Sequence, residues 1–275
     1  MWKFQRSYSG PVKGVIFDWA GTTVDHGSRA PVGVFVEVFR RRGVNVTFDQ
    51  ARRPMGTHKR EHFRQMTEMP EIAAEWKAVH GGLPTPADVD AMYQEGGVIQ
   101  VACLPDFSDP IPGAIETLSA LRERGIRVGS TTGYNREMLD VLVACAADKG
   151  FRPDCAVAAS EVPEGRPAPF LPWTAAQRIG VWPASACVNV GDTLVDIESG
   201  LNAGMWSVGI AVTGNEIGLS QSDWEALAPK EQHTLRTKAY ERLYRTGAHY
   251  VIDSVAELPR IVEEIEHRMR QGERP

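Results

Sequence analysis

Six short apolar or β-branched runs recur along this chain, and most of them are separated by amphipathic segments of helical period. The runs are VKGVIF (12–17), RVGST (127–131), CAVAA (155–159), CVNVGD (187–192), WSVGIAV (206–212) and HYVI (249–252). Runs of this length, bounded by turn residues, match strands buried on both faces. Between them, residues 111–124, 136–149, 194–203 and 256–270 place apolar side chains at helical spacing. Alternation of this kind predicts an α/β fold built on a doubly wound, mostly parallel sheet. Such a sheet takes its ligands at the carboxyl ends of the strands.

The alternation stops after Ser28 and resumes near Asp106. Inside that interval the pattern is purely helical, over 31–42, 47–55, 58–68, 70–80 and 86 to about 101, with Thr47 and Gln50 spaced as a capping box. A helical insert bounded by Gly27 and by the 105–112 segment is expected to form a cap of residues 28–105 on a core of residues 1–27 and 106–275. The charged stretch 220–244 reads as a solvated helical hairpin between the last strands. Internal repeats and low-complexity tracts are absent from the sequence.

Four constellations carry chemistry. Asp18-Trp19-Ala20-Gly21-Thr22-Thr23 ends the first strand with a carboxylate followed by a turn whose amides can hold a phosphoryl oxygen. Gly191-Asp192-Thr193, with Asp196 beyond it, again puts carboxylates where a strand gives way to a helix. Together with Asp18 they supply the hard oxygen donors that magnesium requires. Ser130-Thr131-Thr132-Gly133 offers hydroxyls and a helix start suited to an anion, and Gly165-Arg166-Pro167 offers a fixed guanidinium. Read singly, each has an ordinary meaning: a turn cap, a helix cap with a first-turn charge, an N-cap, a surface loop. Caps do not explain why acidic residues end two separate strands.

In this order, each after a strand, the four resemble the haloacid dehalogenase superfamily of aspartyl-phosphate enzymes. That superfamily begins with D-x-D, whose second Asp protonates an oxygen leaving group. Here that position is Ala20, which leaves three meanings: an inactive protein, a dehalogenase, or an enzyme whose leaving group is not an alkoxide. The insert bears on the choice through Pro54-Met55-Gly56-Thr57-His58-Lys59-Arg60-Glu61-His62, with a lysine among arginines. A solvated lysine on a helix face is the plain reading, but only lysine can lose its proton and attack a carbonyl. FDWAGTTVD (17–25), ARRPMG (51–56) with Lys59 and His62, TEMP (67–70), STTGY (130–134), VPEGRP (162–167), GDT (191–193) and NAGMW (202–206) then resemble the phosphonoacetaldehyde hydrolase family. The match covers nearly everything after Val12. It departs at Ser28, where some relatives carry a small thiol, and at Thr57-His58, where more apolar residues are expected.

The resemblance implies cleavage of the carbon–phosphorus bond of phosphonoacetaldehyde. Lys59 would form a Schiff base and Asp18 an aspartyl phosphate, with Mg2+ held by Asp18, Asp192 and the carbonyl of Ala20 and supported by Asp196. Arg166, Thr132 and Gly133 would orient the phosphonate, His62 would relay protons, and Met55 would pack at the imine site or in the cap. It also implies a homodimer through the cap. The rivals are another phosphatase or dehalogenase of the superfamily and a non-catalytic phosphonate binder.

Charge and composition narrow the partners. A formal net charge of −5 gives no global attraction for nucleic acid or anionic membrane, so an anionic small molecule must be held by a few local cations. Cys103, Cys145, Cys155 and Cys187 form no C-x-x-C pair and read as buried thiols of a reducing compartment. The first ten residues lack the apolar core of a signal peptide, no apolar stretch has the length of a membrane span, and the expected location is the cytoplasm. His58 and His62 are four apart, but HKREH is not the zinc motif H-E-x-x-H. Asn45-Val46-Thr47 is a glycosylation sequon in form alone.

Overall fold

A computed structural model describes residues 8–275. Residues 1–7, on which part of the leader reading rests, lie outside it. The strands are β1 (Gly14–Phe17), β2 (Arg127–Thr132), β3 (Cys155–Ala158), β4 (Cys187–Gly191), β5 (Trp206–Ile210) and β6 (Tyr250–Ile252). They form one sheet in the order β3-β2-β1-β4-β5-β6, with every described pairing parallel rather than most of them. β1 lies between β2 and β4, where the connections reverse direction, and this is the point at which a doubly wound sheet opens a ligand crevice.

β1, β4 and β5 are buried along their whole length, which is why they read as mostly apolar runs, and the polar Asn189 and Ser207 inside β4 and β5 donate to the carbonyls of Asp196 and Ile197. Their side chains serve two faces. Val15 and Phe17 join a cluster with Leu118, Leu139 and Ile261, whereas Ile16 joins Leu171, Ala175 and Met205 on the other side. Each fully buried side chain of this size is worth roughly 1.5–3 kcal/mol relative to exposure.

The helices are α1 (Arg29–Arg40), α2 (Phe48–Arg52), α3 (Lys59–Thr67), α4 (Pro70–His80), α5 (Pro86–Cys103), α6 (Ala114–Glu123), α7 (Arg136–Asp148), α8 (Phe170–Arg178), α9 (Leu194–Asn202), α10 (Gln221–Ala226), α11 (Pro229–Arg245) and α12 (Leu258–Arg270). Helix α8 had no counterpart in the sequence reading. It is short, and Pro172 sits in its first turn, where a missing N–H costs little. Helix α1 starts two residues before the expected Pro31, because the Asp25 carboxylate accepts hydrogen bonds from the Arg29 and Ala30 amides at 3.0 and 2.9 Å and caps it from outside. The last helix begins at Leu258 rather than Ala256, after a 3₁₀ turn over Val255–Glu257. The Thr47–Gln50 capping box forms, and the charged stretch expected to be helical holds α10 and α11.

Helices α1 to α5 enclose an apolar cluster of their own, built on Phe35, Val38, Phe39, Phe63, Met66, Trp76 and Met92. None of these residues belongs to the clusters of the sheet. All four cysteines are free, but only Cys187 is buried; Cys103, Cys145 and Cys155 are half-buried. No described helix is long and apolar enough to cross a membrane.

Candidate active site

Pairing of β1 with β4 puts Phe17 opposite Val190, so both chains leave the sheet together and deliver Asp18 and Asp192 side by side. The Asp18 amide donates to Val190 O at 2.8 Å, fixing the start of the turn. Beyond Asp192, Thr193 caps α9 by accepting from the Asp196 amide, and the Asp196 side chain returns to the Thr193 amide and hydroxyl. The helix cap is therefore Thr193 rather than Asp192. Asp18, Asp192 and Asp196 are all buried, and one oxygen from each lies within 4.8 Å of the others.

One cation meets this acidic group directly. Arg166 Nη1 lies 2.7 Å from Asp18 Oδ1 and 2.7 Å from Asp196 Oδ1, and its Nη2 donates to Thr131 Oγ1 at 2.7 Å. Arg166 thus arrives beside the proposed nucleophile, as its motif required, but its donors rest on carboxylates and on Thr131. The hydroxyl of the neighbouring Thr132 accepts from the Tyr134 amide at 3.2 Å.

Asp192 Oδ2 accepts from the Asn215 amide at 2.7 Å, while Asp192 Oδ1 is buried without a partner among the described residues. Burial, then the charges of Asp18 and Asp196, raises the Asp192 carboxyl well above the usual carboxylate range. Burial likewise lifts Asp18 to about 7, against the opposing pull of Arg166. An orphaned carboxylate oxygen, two carboxyls lifted by burial and mutual repulsion, and an all-oxygen donor set fit a hard divalent cation. The fit is best at Asp18 and Asp192, since both oxygens of Asp196 are already engaged.

The helical insert contributes from above. Lys59 opens α3 just after its cap His58, and it is only 7% exposed. Its Nζ lies 4.0 Å from Met55 Sδ, 5.4 Å from the centroid of Phe35 and 5.0 Å from that of Tyr134. No carboxylate lies within ion-pairing distance of it among the described residues. Burial pulls the amine down to about 8, opposed by the charge of Asp18 and assisted by that of Arg166. His62 is fully buried and stacked on Phe35 at 3.6 Å between centroids. Its Nε2 bonds to Ala51 O at 2.8 Å, and because a carbonyl only accepts, that nitrogen carries the proton. Burial, then the charge of Lys59, keeps the ring neutral, and Nδ1 is left as a buried acceptor with no partner among the described residues. Met55 is both part of the insert's core and a neighbour of Lys59, so the two readings of it do not exclude each other.

Insert and sheet meet at glycines. A Cβ on Gly133 would lie 2.7 Å from Thr57 O, and one on Gly56, whose φ is +90°, would overlap Thr193 Oγ1. Beside this contact opens a cavity of about 560 Å³, walled by Met55, Thr57 and His58 from the insert and by Arg166, Thr193 and Asn215 from the sheet side.

The sequence motifs did not assign roles to Thr131, Tyr134, Phe35 or Asn215. Tyr134 lay inside a motif already singled out, with its ring now over Lys59 and its hydroxyl buried without a partner among the described residues. Asn215 carried no signal, because it is the backbone amide that holds Asp192.

Residues 12–204 match the haloacid dehalogenase-like hydrolase model. The chain is 46% identical to the phosphonoacetaldehyde hydrolase of Hahella chejuensis over 272 residues, covering 99% of this chain and 92% of that one. It is 47% identical to the phosphonoacetaldehyde hydrolase of Paraburkholderia phytofirmans, covering 96% and 99%. The crystal structure of a phosphonoacetaldehyde hydrolase-like protein from Oleispira antarctica superposes with a TM-score of 0.98 at 41% identity, with both chains fully covered.

Proposed function

The chain belongs to the haloacid dehalogenase-like hydrolases and, within them, to the phosphonoacetaldehyde hydrolase family, and from that membership we propose that it hydrolyses phosphonoacetaldehyde to acetaldehyde and phosphate. Residues 28–105 act as a cap over a catalytic core of residues 1–27 and 106–275. The observation that carries the chemistry is Lys59: a buried amine with no counterion among the described residues, drawn down to about 8, above an acidic cluster whose first motif has Ala20 in place of an acid.

Direct cleavage of the carbon–phosphorus bond would expel a carbanion. Condensation of the neutral Lys59 amine with the aldehyde removes this obstacle, taking up a proton, losing water and giving a protonated imine. An Asp18 oxygen then attacks phosphorus, the carbon–phosphorus bond breaks, and its electron pair neutralises the iminium as an enamine. Water cleaves the aspartyl phosphate to phosphate and the Asp18 carboxylate. The enamine takes a proton on carbon, and hydrolysis of the resulting protonated imine returns acetaldehyde, the neutral Lys59 amine and a proton. An acid at position 20 has no proton to deliver. The free Nδ1 of His62, one turn along α3 from Lys59, is the group we assign to proton transfer at the amine.

Arg166, with Thr132 and the Gly133 amide, orients the phosphonate oxygens and stabilises their charge. The metal we propose is Mg2+, held by Asp18, Asp192 and the Ala20 carbonyl with Asp196 in support; when bound it offsets the repulsion between carboxylate and phosphonate. A homodimer through the cap is the assembly we propose, supported by exposed Leu83 and Val98 on that side and tested by light scattering. The activity is tested with purified protein and Mg2+. Equal release of acetaldehyde and phosphate, lost in Asp18→Ala, supports the reading. Phosphate release from simple phosphomonoesters with no acetaldehyde from phosphonoacetaldehyde would assign the protein to another phosphatase of the superfamily.

A further inference from the structure

Arg52, the last residue of α2, makes a set of contacts that neither the Schiff base nor the phosphoryl chemistry uses. Its Nη1 donates to Gly27 O at 2.8 Å and to Asn215 Oδ1 at 3.1 Å, with Ser28 O farther off at 3.4 Å, and its Nη2 donates to Gly218 O at 2.8 Å. No carboxylate pairs with it within 4.0 Å among the described residues. A half-buried guanidinium that is given to neutral acceptors on two separate segments acts through geometry, and a planar fork of fixed donors suits that role where an ammonium does not.

The two segments are the joint into the cap, Gly27 and Ser28, and the loop that follows β5. That loop is itself tied to the catalytic turn. Gly27 N donates to Thr213 O at 2.7 Å, Thr213 Oγ1 donates to Gly21 O at 3.0 Å, and Asn215 N donates to Asp192 Oδ2 at 2.7 Å. His26 Nδ1 is 3.0 Å from Leu219 O at the far end of the same loop. The side chain of Asn215 is thus held by Arg52 while its amide holds Asp192. In the other direction, Arg52 immediately precedes the segment that carries Met55 and delivers Lys59.

We propose that Arg52 is a positioning residue that sets two distances at once: that of Asp192 from Asp18, through Asn215, and that of Lys59 from Asp18, through the 53–58 segment. It touches neither substrate nor metal. This inference rests on the proposed function, in which Asp192 holds the cation and Lys59 forms the imine.

The test uses the full-length protein and two readouts other than turnover: calorimetric titration of Mg2+ into metal-free protein, and the rate at which borohydride traps phosphonoacetaldehyde on Lys59. Arg52→Met is expected to weaken Mg2+ binding by about 10-fold, the low end for a group acting through a ligand's hydrogen-bond partner, and to slow trapping as well. Arg52→Lys is expected to recover little of either. Asn215→Ala, which keeps the amide and removes the acceptor, is expected to weaken Mg2+ binding while trapping stays at the wild-type rate. Adding Arg52→Met to Asn215→Ala should then weaken Mg2+ binding no further. Arg52→Met with a lowered unfolding midpoint but unchanged Mg2+ affinity and trapping rate would make Arg52 a structural clamp and overturn the inference. If Arg52→Met does not fold, unchanged Mg2+ affinity in Asn215→Ala overturns it instead. Wild-type protein that neither binds Mg2+ nor traps the aldehyde would sink the function itself, a separate outcome.

Discussion

Replacing Lys59 by methionine should make the protein more stable while removing its imine chemistry. The Lys59 amine falls from 10.5 to about 8 in the folded protein, with burial as the first cause. A group with a folded pKa below its unfolded value binds fewer protons when folded, so its charge opposes folding at low pH. The opposition is complete below about 8, shrinks as pH rises from there, and is gone above 10.5. At about 1.4 kcal/mol for each pH unit, that displacement corresponds to roughly 3 kcal/mol at pH 7. Methionine has similar length, carries no charge, and meets Met55, Phe35 and Tyr134 as its neighbours. Urea unfolding of both proteins in metal-free and phosphate-free buffer measures the difference. The expected result is a gain of a few kcal/mol for Lys59→Met at pH 7 that narrows as pH is raised from about 8 towards 10. Equal stabilities at pH 7, or a difference that does not change with pH, would refute the claim that burial strains this amine.

The same shift predicts that borohydride trapping on Lys59 accelerates with pH and levels off above about 8, because only the neutral amine attacks; a flat profile from pH 6 to 9 would contradict it. Gly56→Ala forces a side chain onto Thr193 and Val195 at a φ of +90°, so the cap should seat badly. A displacement on the order of 1 Å costs about 100-fold in rate, and steady-state kinetics should show that loss while Mg2+ affinity by calorimetry stays near wild type. Asp192→Asn should abolish calorimetric Mg2+ binding without destabilising the metal-free protein, since burial and the charges of Asp18 and Asp196 already disfavour a charge there. Equal denaturation midpoints without metal check the second half.

What the sequence made legible were features set by local pattern. The ends of β1 and β4 could be read from largely apolar runs stopping at Asp18 and Asp192, since burial on both faces keeps such strands mostly apolar, and the one polar side chain inside β4, Asn189, donates to Asp196 O. Lys59 stood out through its contrast with surrounding arginines and through the absence of an acid at Ala20. What stayed hidden depends on residues far apart in the chain. Arg166 reaches Asp18 and Asp196 only after two loops fold together, Tyr134 covers Lys59 only when insert and sheet close, and Asn215 acts through a backbone amide that every residue possesses. Helix α8 escaped because a single apolar stripe interrupted by Pro172 has no clear period. The early start of α1 escaped because its cap, Asp25, sits four residues upstream with φ +55°.

The proposed chemistry stands on one covalent bond. Incubating the protein with phosphonoacetaldehyde and borohydride, then mapping the modified peptide by mass spectrometry, tests it directly. The predicted result is a reduced N-ethyl or N-phosphonoethyl adduct on Lys59, with turnover of the remaining enzyme lost in proportion. Carbon–phosphorus cleavage that proceeds with Lys59 unmodified, or at full rate in Lys59→Arg, would contradict it.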